Sequence, residues 1–229
     1  MTFRQLFCRE TCTYTYLLGD AGQAVLIDSV DTHADRDAGL VRDLGLDLVA
    51  AIETHVHADH ITGAWRLRGH FPNLKTVALR RCCNGADVCL DDRGVYRFGG
   101  IALEARATPG HTSGCCSWVD HANGRAFTGD ALLIRGCGRT DFQDGDAALL
   151  YESVWQNILS LPESTLLYPG HDYHGRTVTT VAEERAHNPR LGGGRDVATF
   201  TRIMSELRLD PPARIAVAVP ANLRGGSPT

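Results

Sequence analysis

The sequence predicts an α/β fold of two β-rich layers flanked by helices, built as a single domain over residues 1–229. Three observations carry this reading. Alternating apolar and polar positions dominate the first third of the chain. Several short apolar strands each run into a polar loop. Twice, a series of strands gives way to helical periodicity.

Taken in order, residues 11–18 read as a strand, 19–22 as a turn and 24–28 as the returning strand. Thr32 reads as the N-cap of a helix over 34–44, stopped by Gly45. Residues 48–52 are apolar throughout, as a buried strand would be, and end at a histidine cluster. A short helix follows Thr62-Gly63. Strands are expected near 76–79, 95–98, 101–107, 117–119 and 126–128, and helices over 147–159, 178–187 and 197–207. Residues 191–194 (Leu-Gly-Gly-Gly) read as a flexible loop, and 225–229 as a frayed tail. Trp65, Trp118 and Trp155 are assigned to core or rim packing.

Composition narrows the partners. The hydrophobic and charged fractions, 43% and 22%, are those of an ordinary globular domain. A net charge of −4 gives no basis for nucleic-acid binding. No apolar run approaches the roughly 20 residues of a membrane span. The N-terminus has no secretory apolar segment and leads directly into strand-like sequence, so a cytoplasmic protein is expected. The eight cysteines, Cys8, Cys12, Cys82, Cys83, Cys89, Cys115, Cys116 and Cys137, form no C-x-x-C pair and are expected to be free thiols, mostly buried as small apolar residues. Basic charge is almost entirely arginine, with Lys75 the single lysine. Any anion-binding group is therefore a guanidinium. A homo-oligomer is compatible with all of this.

The chemistry lies in Thr54-His55-Val56-His57-Ala58-Asp59-His60. Within six residues of a strand end stand three imidazoles and a carboxylate, the ligands that divalent transition metals accept. A solvated polar loop is the alternative, but three of the ten histidines fall here. His111 sits in a Pro-Gly turn after a strand, Asp130 just past another, and His171 in a second Pro-Gly turn. Strand ends meeting at one edge would bring these residues to one ion. Read alone, this set has ligands enough for two metals.

In their order, His55-x-His57-x-Asp59-His60, His111, Asp130 and His171 resemble the motifs of the metallo-β-lactamase superfamily. The resemblance implies an αββα sandwich with the metal site at one edge. Residues 127–143, His171-Asp172-Tyr173-His174-Gly175, residues 183–190 and Ala218-Val219-Pro220-Ala221-Asn222 further resemble the persulfide (sulfur) dioxygenases, relatives of glyoxalase II. That resemblance implies one non-haem Fe(II) per chain held by His55, His111 and Asp130. The reaction it implies oxidises glutathione persulfide with O2 and water to sulfite and glutathione, a step of sulfide oxidation and sulfur metabolism. His57, Asp59, His60 and His171 would then support ligands and waters by hydrogen bonds. Spacing gives no reason for excluding a second ion.

Glutathione carries two carboxylates. Arg139, Tyr173 and His174 are its expected contacts by resemblance, with Asp141 orienting Arg139 and with Arg66 and Arg224 as further candidates. Two other readings compete. One is a two-metal thioester hydrolase of glyoxalase II type, against which stand the 136–141 loop and the 58 residues after His171, few for a C-terminal glutathione-holding module. The other is a non-catalytic metal- or thiol-binding protein, against which stands the complete His/Asp set.

Overall fold

The computed structural model describes residues 1–82 and 85–228, so the thiol expected at Cys83 and the tail residue Thr229 lie outside the described residues. Two six-stranded sheets face each other. The first runs, in spatial order, β1 (Thr2–Cys8), β2 (Thr13–Asp20), β3 (Gln23–Ile27), β4 (Asp47–Ile52), β5 (Lys75–Leu79) and β6 (Val88–Leu90). The second is ordered from β7 (Val95–Phe98) through β8 (Ile101–Ala107), β9 (Cys116–Asp120), β10 (Arg125–Gly129) and β11 (Leu166–Pro169) to β12 (Thr179–Thr180). The helices are α1 (Ala34–Asp43), α2 (Ala64–His70), α3 (Ala147–Asn157), α4 (Val181–His187), α5 (Val197–Glu206) and α6 (Ile215–Asn222). The αββα arrangement expected from the sequence is what the chain adopts.

Strand periodicity explains the layering. Tyr14, Tyr16 and Leu18 of β2 and Val25 and Ile27 of β3 face the inter-sheet core with Trp118 and Phe127. The intervening Leu17, Ala24 and Leu26 face the opposite way, into a second core under α1 and α2. A third core lies between the second sheet and α3 and α5. Successive side chains alternate faces, so a strand buried on both sides serves two cores. Trp118 is fully buried, Trp155 is packed against the third core, and Trp65, at 46% exposed, is not a core residue.

Several local expectations need correction. α1 is not capped by Thr32: a 3-10 turn over Asp31–His33 feeds directly into it, and its first turn is served by Asp35 and Asp37. α4 begins at Val181, where the Thr180 hydroxyl accepts from the Glu183 N–H, because the two preceding residues pair with β11. Residues 191–194 are ordered: Leu191 is buried, and the Gly192 and Gly193 amides donate to Asn188 and Arg185 carbonyls at 2.9 and 2.8 Å. The expected frayed tail is tied down at its start, since Gly226 N–H donates to the Ala221 carbonyl at 3.0 Å and a Cβ there would stand 2.5 Å from the Thr62 carbonyl oxygen. α6 escaped the sequence reading because its valines and internal Pro220 are weak helix formers.

Candidate metal centre

The ligand-bearing loops leave the C-terminal ends of their strands. Asp28 follows β3, the His55–His60 segment follows β4, His111 follows β8, Asp130 follows β10 and His171 follows β11. Backbone bonds clamp the two sheets where these loops meet: Cys116 N–H donates to the Thr54 carbonyl, and Tyr14 N–H to that of Gly170, each at 2.8 Å.

His55, His111 and Asp130 place one ligand atom each within 4.8 Å of one another. His111 Nδ1 donates to the Arg139 carbonyl at 2.6 Å, which leaves its Nε2 facing Asp130 Oδ2 at 3.7 Å. The 136–141 loop comes this close because residue 138 is glycine; a Cβ there would lie 2.7 Å from His111 Nδ1. His55 Nδ1 meets the Thr54 hydroxyl at 2.9 Å, so it too presents Nε2. Burial, with His57 alongside, holds the His55 pKa well below the ordinary imidazole value. Burial pushes the Asp130 pKa up, but His171, His55 and His111 outweigh it and keep the group ionised far into acid. Two imidazoles and one carboxylate converging in this way are a donor set that fits a divalent transition metal.

His57, Asp59, His60 and His171 form a second cluster of the same dimensions. Here the groups are partly turned on one another. Asp59 Oδ2 accepts from His60 Nδ1 at 2.9 Å, from His171 Nε2 at 3.1 Å and from the Thr13 hydroxyl at 3.3 Å. His171 Nδ1 meets Asp130 Oδ1 at 2.7 Å, so this ring is held between two carboxylates. Burial lowers its pKa, and Asp130 and Asp59 overcompensate, raising it well above the usual value. His60 Nε2 and both His57 nitrogens are buried without a hydrogen-bond partner.

A cleft of about 750 Å³ opens on the first cluster, within the range of small-molecule sites. Tyr173 and His174 line it, as expected, and the Tyr173 ring stacks on His171. Arg139 also lines it, oriented by Asp141 through Nε and Nη2 at 2.7 Å each. Its Nη1 and Nη2 further donate to the carbonyls of Asp210 and Leu209, at 2.7 and 3.1 Å. Most of this guanidinium is therefore spent on holding the 209–210 wall. Arg66 and Arg224 are exposed and line no part of the cleft, which withdraws the geometric ground for both as substrate contacts. Sequence reasoning missed Arg214. Among the described residues it is the cleft-lining arginine whose side chain makes no hydrogen bond or ion pair, and it arrives from the loop before α6. It also missed Thr13, Asp28 and Asn222, which hold the ligand loops. The available signals were an acidic residue ending an apolar strand, at Asp28, and the Ala218–Asn222 run already singled out by resemblance.

Comparison with known proteins identifies the family. The profile of the metallo-beta-lactamase superfamily matches residues 11–81 and 83–171. The chain is 53% identical to the persulfide dioxygenase ETHE1, mitochondrial, of Bos taurus and to that of Homo sapiens, each over 99% of this chain and 89% of the relative. The crystal structure of ETHE1 from Myxococcus xanthus superposes with a TM-score of 0.96 at 47% identity, covering 99% of this chain and all of that one. Hydroxyacylglutathione hydrolase GloC of Haemophilus influenzae is more distant, 31% identical over 75% of this chain and 89% of the relative.

Proposed function

Because the chain belongs to the metallo-beta-lactamase superfamily, we propose that it works at a metal held by His55, His111 and Asp130, as a persulfide dioxygenase. One glutathione persulfide, one O2 and one water yield glutathione, sulfite and two protons. The observation that carries the reading is the likeness to persulfide dioxygenases over nearly the whole chain, at 53% identity, joined to the His55/His111/Asp130 group at the floor of an open cleft. The metal is one Fe(II) per chain; when bound it supplies an anchor for sulfur and the redox couple that O2 needs, which Zn(II) lacks.

The residues of the chain do the rest. His111 is fixed by the Arg139 carbonyl and His55 by Thr54, so both imidazoles keep Nε2 free. His171 and Asp59 engage each other, and His171 engages the Asp130 oxygen nearest it, which favours a single ion over two. Tyr173 and His174 form one wall of the cleft, and Arg139, with Asp141, shapes the other. Arg214 receives a glutathione carboxylate. Arg214→Ala is expected to raise KM for glutathione persulfide about 5- to 30-fold at unchanged kcat, a loss of about 1–2 kcal/mol for an exposed charged contact. Arg139→Ala should lower kcat as well, because it also frees the 209–210 wall. Steady-state kinetics on the two variants separates these effects.

Among the described residues no helix is long and apolar enough to cross a membrane. Cys8, Cys12, Cys89, Cys115, Cys116 and Cys137 carry no disulfide, which suits a reducing compartment such as the cytoplasm.

One observation favours a second reading. The unpartnered nitrogens of His57 and His60 are what a second ion would take, as in a two-metal thioester hydrolase. A single experiment decides between the readings. Metal content is measured on the purified protein, then oxygen uptake with glutathione persulfide and hydrolysis of lactoylglutathione. About one iron per chain with persulfide-dependent oxygen uptake supports the dioxygenase. Two metals with thioester cleavage and no oxygen uptake would sink it.

A further inference from the structure

We infer that Asp28, which lies outside the ligand set, fixes the proton position on His55 through the Thr54 hydroxyl and so keeps His55 Nε2 open to a metal. This rests on the reading of His55 as a ligand and extends it by two residues.

Counting protons assigns the tautomer. Asp28 is fully buried, and its carboxylate can only accept. The Thr54 N–H donates to Asp28 Oδ1 at 2.8 Å, and the Thr54 hydroxyl donates to Oδ2 at 2.8 Å. A hydroxyl has one hydrogen, and here it is spent. Towards His55 Nδ1, 2.9 Å away, Thr54 Oγ1 can therefore only accept. Nδ1 must carry the proton of the neutral ring, and the lone pair falls on Nε2. A metal-bound histidine needs this division of labour between its two nitrogens.

The surroundings are built to hold the relay. Asp28 sits in the left-handed region, at φ 53°, where a non-glycine residue is strained and Asp is among the better tolerated. Its N–H donates to the Ile52 carbonyl at 2.9 Å, and its carbonyl accepts from the Thr15 hydroxyl at 2.8 Å. Opposite Thr54 stands Gly129, also left-handed at φ 52°, where a Cβ would come within 2.5 Å of Thr54 Oγ1. His57 lies on the same carboxylate, its Nε2 3.2 Å from Asp28 Oδ1 but without the alignment of a hydrogen bond.

Asp28→Asn tests the relay because it inverts it. The Thr54 N–H remains a donor, so the amide oxygen must stay opposite it. The amide NH2 then faces Thr54 Oγ1 and donates. The hydroxyl hydrogen turns to His55 Nδ1, and the ring proton moves to Nε2, where it blocks a metal. Thr54→Val removes the relay, whereas Thr54→Ser keeps it. The tautomer of His55 is read by 15N NMR of histidine-labelled protein stripped of metal, and Fe(II) affinity by competition with a chelator. Expected are the Nδ1–H tautomer in the parent and in Thr54→Ser, and the Nε2–H tautomer in Asp28→Asn. Iron affinity should fall on the order of 10- to 100-fold in Asp28→Asn and Thr54→Val, as for other partners of metal ligands. It should stay within about twofold in Thr54→Ser.

An Nε2–H tautomer in the parent protein overturns the inference, even if no variant folds. So does an Nδ1–H tautomer retained in Asp28→Asn. A flipped tautomer with unchanged iron affinity overturns the link to the metal by removing His55 from the ligand set, and that outcome counts against the site reading itself. A purely structural Asp28 would change thermal stability in Asp28→Asn and Thr54→Val without moving the tautomer.

Discussion

Asp130→Ala is expected to leave the chain without bound iron and without persulfide-dependent oxygen uptake. Asp130 contributes the one carboxylate of the group it forms with His55 and His111. Loss of a whole ligand should exceed the 10- to 100-fold affinity loss typical of a supporting partner, so occupancy should fall by more than about 100-fold in chelator competition. The same truncation takes the acceptor from His171 Nδ1, now bonded at 2.7 Å in a buried site, so the His171 ring should also turn. Asp59→Ala is the informative control. Its carboxylate belongs to the other cluster, so the variant should keep about one iron per chain. If Asp130→Ala retains iron and activity, Asp130 leaves the ligand set. If Asp59→Ala halves a content of two metals, the two-metal reading replaces the one-metal reading.

Asn222→Ala should have the largest effect on stability of any single truncation at the site. The Asn222 Oδ1 accepts from the Thr62 N–H, and Nδ2 donates to the carbonyls of His57 and His60, all at 2.8 Å. His57, His60 and Thr62 are at most 3% exposed. Alanine would strand two carbonyls and one N–H away from water, at about 1–3 kcal/mol for each buried group left unpaired. Allowing for relaxation of the loop, the loss is about 3–5 kcal/mol, or a fall in Tm of roughly 6–20 °C for a chain of this length. Asn222→Asp should be no better, because a carboxylate presents no donor to either carbonyl. Calorimetry on both variants checks this; a fall below about 2 °C would mean that the loop is held by other means.

These two residues mark what a linear reading can reach. Asp130 was legible because its signal is local: an apolar strand, a glycine, then a carboxylate. His55, His111 and His171 were legible in the same way, and a sandwich that gathers strand ends at one edge follows from strand and helix periodicity. Asn222 was not legible as a structural residue. Its three bonds reach back 160 to 165 positions, and nothing near it marks the partner. Arg139 was singled out as a substrate contact with Asp141 orienting it, and it does line the cleft beside Asp141, but its bonds to the 209–210 carbonyls arise only from packing. Arg214 escaped because a lone exposed arginine in a loop has no local signature. The tail was misjudged for the converse reason: a Gly-Gly pair reads as freedom, whereas Gly226 is the residue small enough to lie against Thr62.

The reach of Asn222 bears on how the protein is made. A chain emerging from the ribosome presents His55, His57 and His60 long before Asn222 exists, and domains fold as units as synthesis proceeds from the N-terminus. Until α6 docks, the carbonyls of His57 and His60 lack their partner, and the histidine loop keeps only its contacts to earlier residues such as Asp28 and Thr13. A nascent chain lacking Asn222 is expected to hold these imidazoles less firmly in register. On the proposed reading, metal capture is expected only after translation has passed residue 222, and a chain stalled short of that point should offer less well ordered histidines to whichever metal is most abundant.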